Sequence, residues 1–171
     1  MVTLSSLINT IKTTAVSIKF LRDRVPKDVD VIVYQALKNK HRSSVFKGKR
    51  AVIVLIPKKG SKMGHFIVLL PKAGHIEYFS SLGGSFTDEL EKLHESTQIF
   101  KNLLGKNYIY NRVKLQSGAY KVEDCAAFVL ARVFLSKLKQ REFVGLFQRR
   151  LSLQSPDDIV SALVLLHFVN V

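Results

Sequence analysis

Cysteine is almost missing from this chain: its 171 residues contain one, Cys125. A lone thiol excludes an internal disulfide framework and any zinc or iron–sulfur site built on clustered cysteines. The histidines, His41, His65, His75, His94 and His167, show no HExxH or comparable spacing, so no metal is expected. Proline (4) and glycine (9) are too scarce for a collagen-like or low-complexity chain, and 47% hydrophobic residues are enough for a continuous core. Long apolar runs are also missing. The best, 159–169, is interrupted by Ser161 and His167 and is about half the ~20 residues that a membrane-crossing helix needs. The first 21 residues hold Lys12 and Lys19 and no apolar signal-peptide core. One soluble, non-secreted domain spanning 1–171 is therefore the expectation, with no membrane partner.

Acidic residues are scarce too, 13 against 27 Lys and Arg, for a formal charge of +14. The excess is uneven: residues 1–60 carry 13 basic and 3 acidic side chains, residues 61–171 carry 14 and 10. Between Lys38 and Lys62 there is no acid at all, while Lys38, Lys40, Arg42, Lys47, Lys49, Arg50, Lys58 and Lys59 are all basic. Such a field attracts polyanions through counterion release, so double-stranded DNA is the expected partner of this segment; the bland alternative is a solvated basic surface.

The apolar pattern predicts a helix over Leu4, Leu7, Ile8, Ile11, Ala15, Ile18 and Leu21 that ends near Pro26. Residues 29–37 are ambiguous between strand and helix. Three β-rich runs follow, 51–56, 66–70 and 75–80, closed by Pro57-Lys-Lys-Gly60, Pro71-Lys-Ala-Gly74 and Leu82-Gly83-Gly84. Residues 88–104 predict one helix, 107–115 a strand, and 124–138, 142–151 and the segment opened by Ser155-Pro156 three more helices. The fold class is α+β, a central, mainly antiparallel sheet flanked by helices.

Two chemical readings of Cys125 stand side by side. A cysteine in an apolar helix is ordinarily a small buried hydrophobe. At the start of a helix, however, unsatisfied N–H groups and the macrodipole favour a thiolate, although Glu123 and Asp124 oppose this. His65, after Gly64 at the lip of a strand, is the best placed base, whereas His41 and His94 lie among charges and His167 on an apolar helix.

The order Gly64-His65-Phe66, Tyr78-Phe79-Ser80-Ser81-Leu82-Gly83, Leu115-Gln116-Ser117 and Asp124-Cys125-Ala126-Ala127-Phe128 resembles the adenovirus-type (adenain-like) viral maturation cysteine proteases. The tail, 142–147 and 156–160, is similar to the short virophage and polinton-type versions. The resemblance implies an adenain-like, papain-like fold with the nucleophile at a helix N-terminus: Cys125 as nucleophile, His65 as base, Gln116 as oxyanion donor. Ser80 stands where the family has Asp or Glu; Asp88 is an alternative acid, while Glu77 is expected on the opposite strand face. Gln116 precedes Cys125 by a longer stretch than is usual in the family, and Phe66 and Ala126 replace the usual Trp and Gly. The implied function is capsid maturation in the virion and infected cell. Capsid and core precursors would be cut near small residues of Gly-Gly or Gly-x type by a monomer needing no cofactor for the chemistry, with viral DNA as activator. The competing readings are a catalytically impaired DNA-binding virion protein and a protease of ubiquitin-like conjugates.

Overall fold

The computed structural model describes residue 6 and residues 16–58, 64–117, 124–148 and 155–169, the last with side chains to Leu165. Five strands form one sheet in the order β1 (Val29–Val33), β2 (Ala51–Pro57), β3 (Gly64–Lys72), β4 (His75–Phe79) and β5 (Tyr108–Tyr110). Strands β2, β3 and β4 run antiparallel, but β1 pairs with β2 and β5 with β4 in parallel. The sheet is therefore mixed rather than mainly antiparallel. Parallel neighbours cannot be joined by a tight turn. The β1–β2 crossover carries a 3₁₀ turn (Tyr34–Leu37) and helix α2 (Arg42–Val45), and the β4–β5 crossover carries α3 (Phe86–Lys92) and α4 (Gln98–Leu104).

Helices cover both faces. The β2 run is buried because its alternate side chains serve two cores: Ala51 and Ile53 face one way, Val52, Val54 and Ile56 the other. The first core takes α1 (Ile18–Arg22), α5 (Cys125–Phe134), α6 (Gln140–Gln148) and α7 (Pro156–Val169); the second takes α3, α4 and the 3₁₀ turn. Helix α5 lies against β3 and α7. A bidentate ion pair ties it to β4: Arg132 Nε and Nη2 donate to the Glu77 carboxylate at 2.7 and 2.8 Å, both side chains being buried. The other guanidinium donors reach the carbonyls of Leu135 and Leu138.

Several expected boundaries move for visible reasons. The opening helix is described only over Ile18–Arg22, capped by Ser17, whose hydroxyl accepts from Phe20 N–H at 3.1 Å; most of its upstream part lies outside the described residues. The ambiguous 29–37 segment divides into β1 and the 3₁₀ turn. The helix expected over 88–104 is two helices, because His94 adopts φ 58° and Glu95 N–H turns back to Leu90 C=O. Helix α7 starts as expected, with Ser155 accepting from Asp158 N–H at 3.2 Å. Among the described residues no helix is long and apolar enough to cross a membrane.

Candidate active site

The site lies where β2 and β4 end and β3 begins. Gly64 opens β3 flush against β2: a Cβ there would sit 2.5 Å from Ile56 C=O. The next residue, His65, is buried, and its Nε2 lies 2.9 Å from Ser80 Oγ. Sheet register explains the meeting. Val68 pairs with Phe79, so Ile67 stands opposite Ser80 and His65 is its diagonal neighbour on the same face. Asn111 clamps the Ser80 backbone, accepting from Ser80 N–H at 3.1 Å and donating to Ser80 C=O at 2.7 Å.

Ser81 turns to Gln116. Its hydroxyl donates to the Gln116 carboxamide oxygen at 2.7 Å, and its carbonyl accepts the N–H groups of Leu115 and Gln116 at 2.8 and 3.0 Å. The Ser80-Ser81 dipeptide thus joins the candidate base to the candidate oxyanion donor. Gly83 permits that junction. At φ +69° a Cβ would lie 2.3 Å from the backbone of Val113, so only glycine lets the two loops touch. Asp157, in the first turn of α7, holds Ser117 N–H through both carboxylate oxygens at 3.1 and 3.2 Å.

Cys125 is the first residue of α5 and belongs to the same apolar cluster as Phe66, Phe79 and Leu115. Side chains alternate along a strand, so Phe66 and Phe79 enter the sheet face opposite to that of His65 and Ser80, and Cys125 approaches from the α5 side of the sheet. The first-turn N–H groups of α5, which lack acceptors within the helix, lie at the same helix end as the sulfur. Cys125 and Gln116 are 8% exposed and His65 7%, so each keeps a small accessible surface, whereas Ser80 keeps none.

Sequence reading missed Glu89. Asp88, the alternative acid, is exposed and spent on the α3 cap, where its carboxylate accepts from Ser85 Oγ at 2.8 Å. Its neighbour Glu89 points inward, accepts from Tyr78 Oη at 2.6 Å and brings Oε2 to 3.8 Å from His65 Nε2. A signal was present: Phe86, Glu89, Leu90 and Leu93 share one helical face, so an acid occupied a core position. Glu77 does occupy the opposite sheet face, with Arg132.

Burial dominates the electrostatics. It lowers His65 to about 4, so the imidazole is neutral at pH 7. Burial also raises the Glu89 carboxyl above the ordinary range, against which the hydroxyls of Ser80 and Tyr78, the Gly84 amide and Lys92 act.

The basic segment divides. Lys38, Lys40, Arg42, Lys47 and Lys58 are exposed. The first three line a cavity of about 840 Å³ with Glu95 and Gln98, beyond the end of β1 and thus at the same end of the sheet as His65. Lys58 follows the last residue of β2. Arg50 instead pairs with Asp28 at 2.8 Å and donates to Val133 C=O and Ser136 Oγ at 3.2 Å, and Lys49 donates to Lys27 C=O. These two brace the fold through Lys49 Nζ, Arg50 Nη1 and the Arg50–Asp28 ion pair. Lys59 lies outside the described residues, as does the His167 side chain.

No protein-family model matches the chain, and no curated protein matches it.

Proposed function

We propose that this protein is a cysteine endopeptidase of the viral capsid-maturation type, with Cys125 as nucleophile and His65 as base. The observation that carries the reading is the pair of contacts made by one dipeptide: Ser80 Oγ with His65 Nε2, and Ser81 Oγ with the Gln116 carboxamide. Engaging Nε2 leaves Nδ1 as the ring nitrogen for the thiol proton. Binding the Gln116 oxygen orients its NH₂ group as the donor side of the amide.

In the cycle, Nδ1 takes the proton from Cys125 Sγ as the sulfur attacks the scissile carbonyl. The charge developing on the carbonyl oxygen meets the Gln116 NH₂ and the Cys125 N–H, an arrangement whose donors contribute roughly 3–4 kcal/mol each in comparable sites. His65 then returns the proton to the leaving amine, and water attack on the thioester frees the enzyme. Neutral at pH 7, the imidazole keeps one ring nitrogen unprotonated at rest and open to the thiol proton.

Substrate class comes from the resemblance: precursor proteins of capsid and core, cut near small residues, with DNA bound by the basic surface. The test is processing of capsid precursors mixed with the protein. Cys125→Ala abolishes cleavage and His65→Gln lowers it by orders of magnitude, with thermal stability retained in the first. Residual cleavage by Cys125→Ala would exclude the assigned nucleophile. A protease of ubiquitin-like conjugates differs by cleaving a fused ubiquitin-like tail in place of capsid precursors.

A further inference from the structure

Ser80 leaves this cysteine–histidine site without the carboxylate expected at the end of β4, yet a buried acid stands directly behind it. We infer that Glu89 is the acid of the site, a positioning residue that acts on His65 across the Ser80 hydroxyl. The inference rests on the cysteine–histidine reading above.

Three independent observations converge on Glu89. It is 3% exposed, and among the described residues its carboxylate forms an ion-pair contact only with His65, at 3.8 Å. A carboxylate buried without a cationic partner is costly, so one held there beside a histidine implies a compensating interaction. Second, the surroundings are shaped for it. Tyr78 Oη, from the adjoining strand β4, donates to Oε2 at 2.6 Å. Third, Ser80 Oγ stands 2.9 Å from Nε2 while accepting from Leu82 N–H at 3.2 Å. That hydroxyl also favours the ionised form of Glu89.

The role inferred for Glu89 requires the tautomer in which Nε2–H donates to Ser80 Oγ and the Ser80 O–H turns to the carboxylate, so that Nδ1 carries the lone pair. When the thiol proton moves from Sγ to Nδ1, the new S⁻ and imidazolium are balanced by the carboxylate behind the ring. No proton passes to Ser80 or Glu89; both keep the bonds they had. The charged or titratable groups facing Glu89 are His65 from β3, Tyr78 from β4 and Lys92 from its own helix.

Cys125 is the only cysteine, so the rate of its alkylation by iodoacetamide, followed by intact mass between pH 5 and 9, reads the site without a substrate. Glu89→Gln should react about tenfold more slowly than the parent at pH 6, the size expected when one opposing charge leaves an ion pair. Glu91→Gln, an exposed change on the same helix, should match the parent. Ser80→Asp combined with Glu89→Gln places a carboxylate directly at Nε2 and should restore the rate to within about twofold. A parent-like Glu89→Gln beside a slow His65→Gln would overturn the role of Glu89 while leaving the cysteine–histidine pair intact. Equal slowness of Glu89→Gln and the double variant, both unfolding at lower temperature, would reduce Glu89 to a packing role. If the parent itself behaves as His65→Gln does, with ordinary thiol ionisation near ~8.5, the underlying reading fails as well.

Discussion

Replacing Glu77 by Gln should be among the most damaging single changes outside the site. The partner, Arg132, is fully buried and Glu77 nearly so, with two charge-assisted bonds of 2.7 and 2.8 Å between them. Gln conserves the shape and removes the charge. The guanidinium then stays charged in an apolar environment, over the Phe143 ring at 5.2 Å, with only neutral acceptors: the carbonyls of Leu135 and Leu138 and the single amide oxygen of the substituted side chain. Leaving one member of a buried pair uncompensated costs about 3–5 kcal/mol. A domain of this size has roughly 5–15 kcal/mol in total, so about a fifth or more of its stability is at stake. At about 2–4 °C per kcal/mol, the melting temperature should fall by roughly 6–20 °C. Urea unfolding at pH 7 checks this, because the midpoint should drop while the slope stays constant. Removing both charges, with Glu77→Met and Arg132→Met together, should recover most of the loss. A Glu77→Gln variant within about 1 kcal/mol of the parent would refute the argument, as would a double variant no better than the single. The pair also anchors α5, which begins with Cys125, to β4, which leads into Ser80, so the single variant should blunt Cys125 alkylation as well.

His65 should make the fold acid-sensitive. Its folded value near 4 lies below the ordinary 6.5, so between those limits the unfolded chain takes a proton that the folded one refuses. Stability then falls as pH drops, by up to about 3 kcal/mol. Glu89 works in the opposite sense, since a raised carboxyl binds its proton earlier in the fold and gains stability as pH drops. Urea midpoints at pH 7 and 4 should therefore fall further for the parent than for His65→Gln, and parallel falls would contradict the assignment. For DNA, Lys38→Gln with Lys40→Gln should lower the salt slope of duplex binding by about 2, whereas Arg50→Gln, already paired with Asp28, should leave the slope unchanged and lower stability. An equal loss of slope from Arg50→Gln would show that its guanidinium reaches phosphate.

Much of the local architecture was legible. The β-branched run of β2 and the Ser155-Pro156 start of α7 are read correctly because their determinants lie within a few residues. The opposite facing of Glu77 follows from strand alternation alone. Other features depend on distant partners. A single helix is expected over 88–104 because its apolar spacing continues through the break, and nothing local demands the positive φ of His94. The parallel edges are invisible in the sequence, since direction of pairing is set by crossover path. The Arg132–Glu77 pair is likewise set by tertiary packing, since only the docking of α5 on the sheet brings the guanidinium to β4.

The amino-acid order by itself determined that the chain has a core, a basic N-terminal third, a helix opening near Cys125 and a strand with His65 at its lip, because composition and short-range periodicity act over neighbouring residues. Tertiary structure alone decided that Ser80 meets His65, that Ser81 holds Gln116, and that Glu89 rather than Asp88 stands behind the ring. Those pairings join residues from separate elements, and the diagonal of an antiparallel register and the inward face of a helix exist only once the sheet and its covering layers have packed.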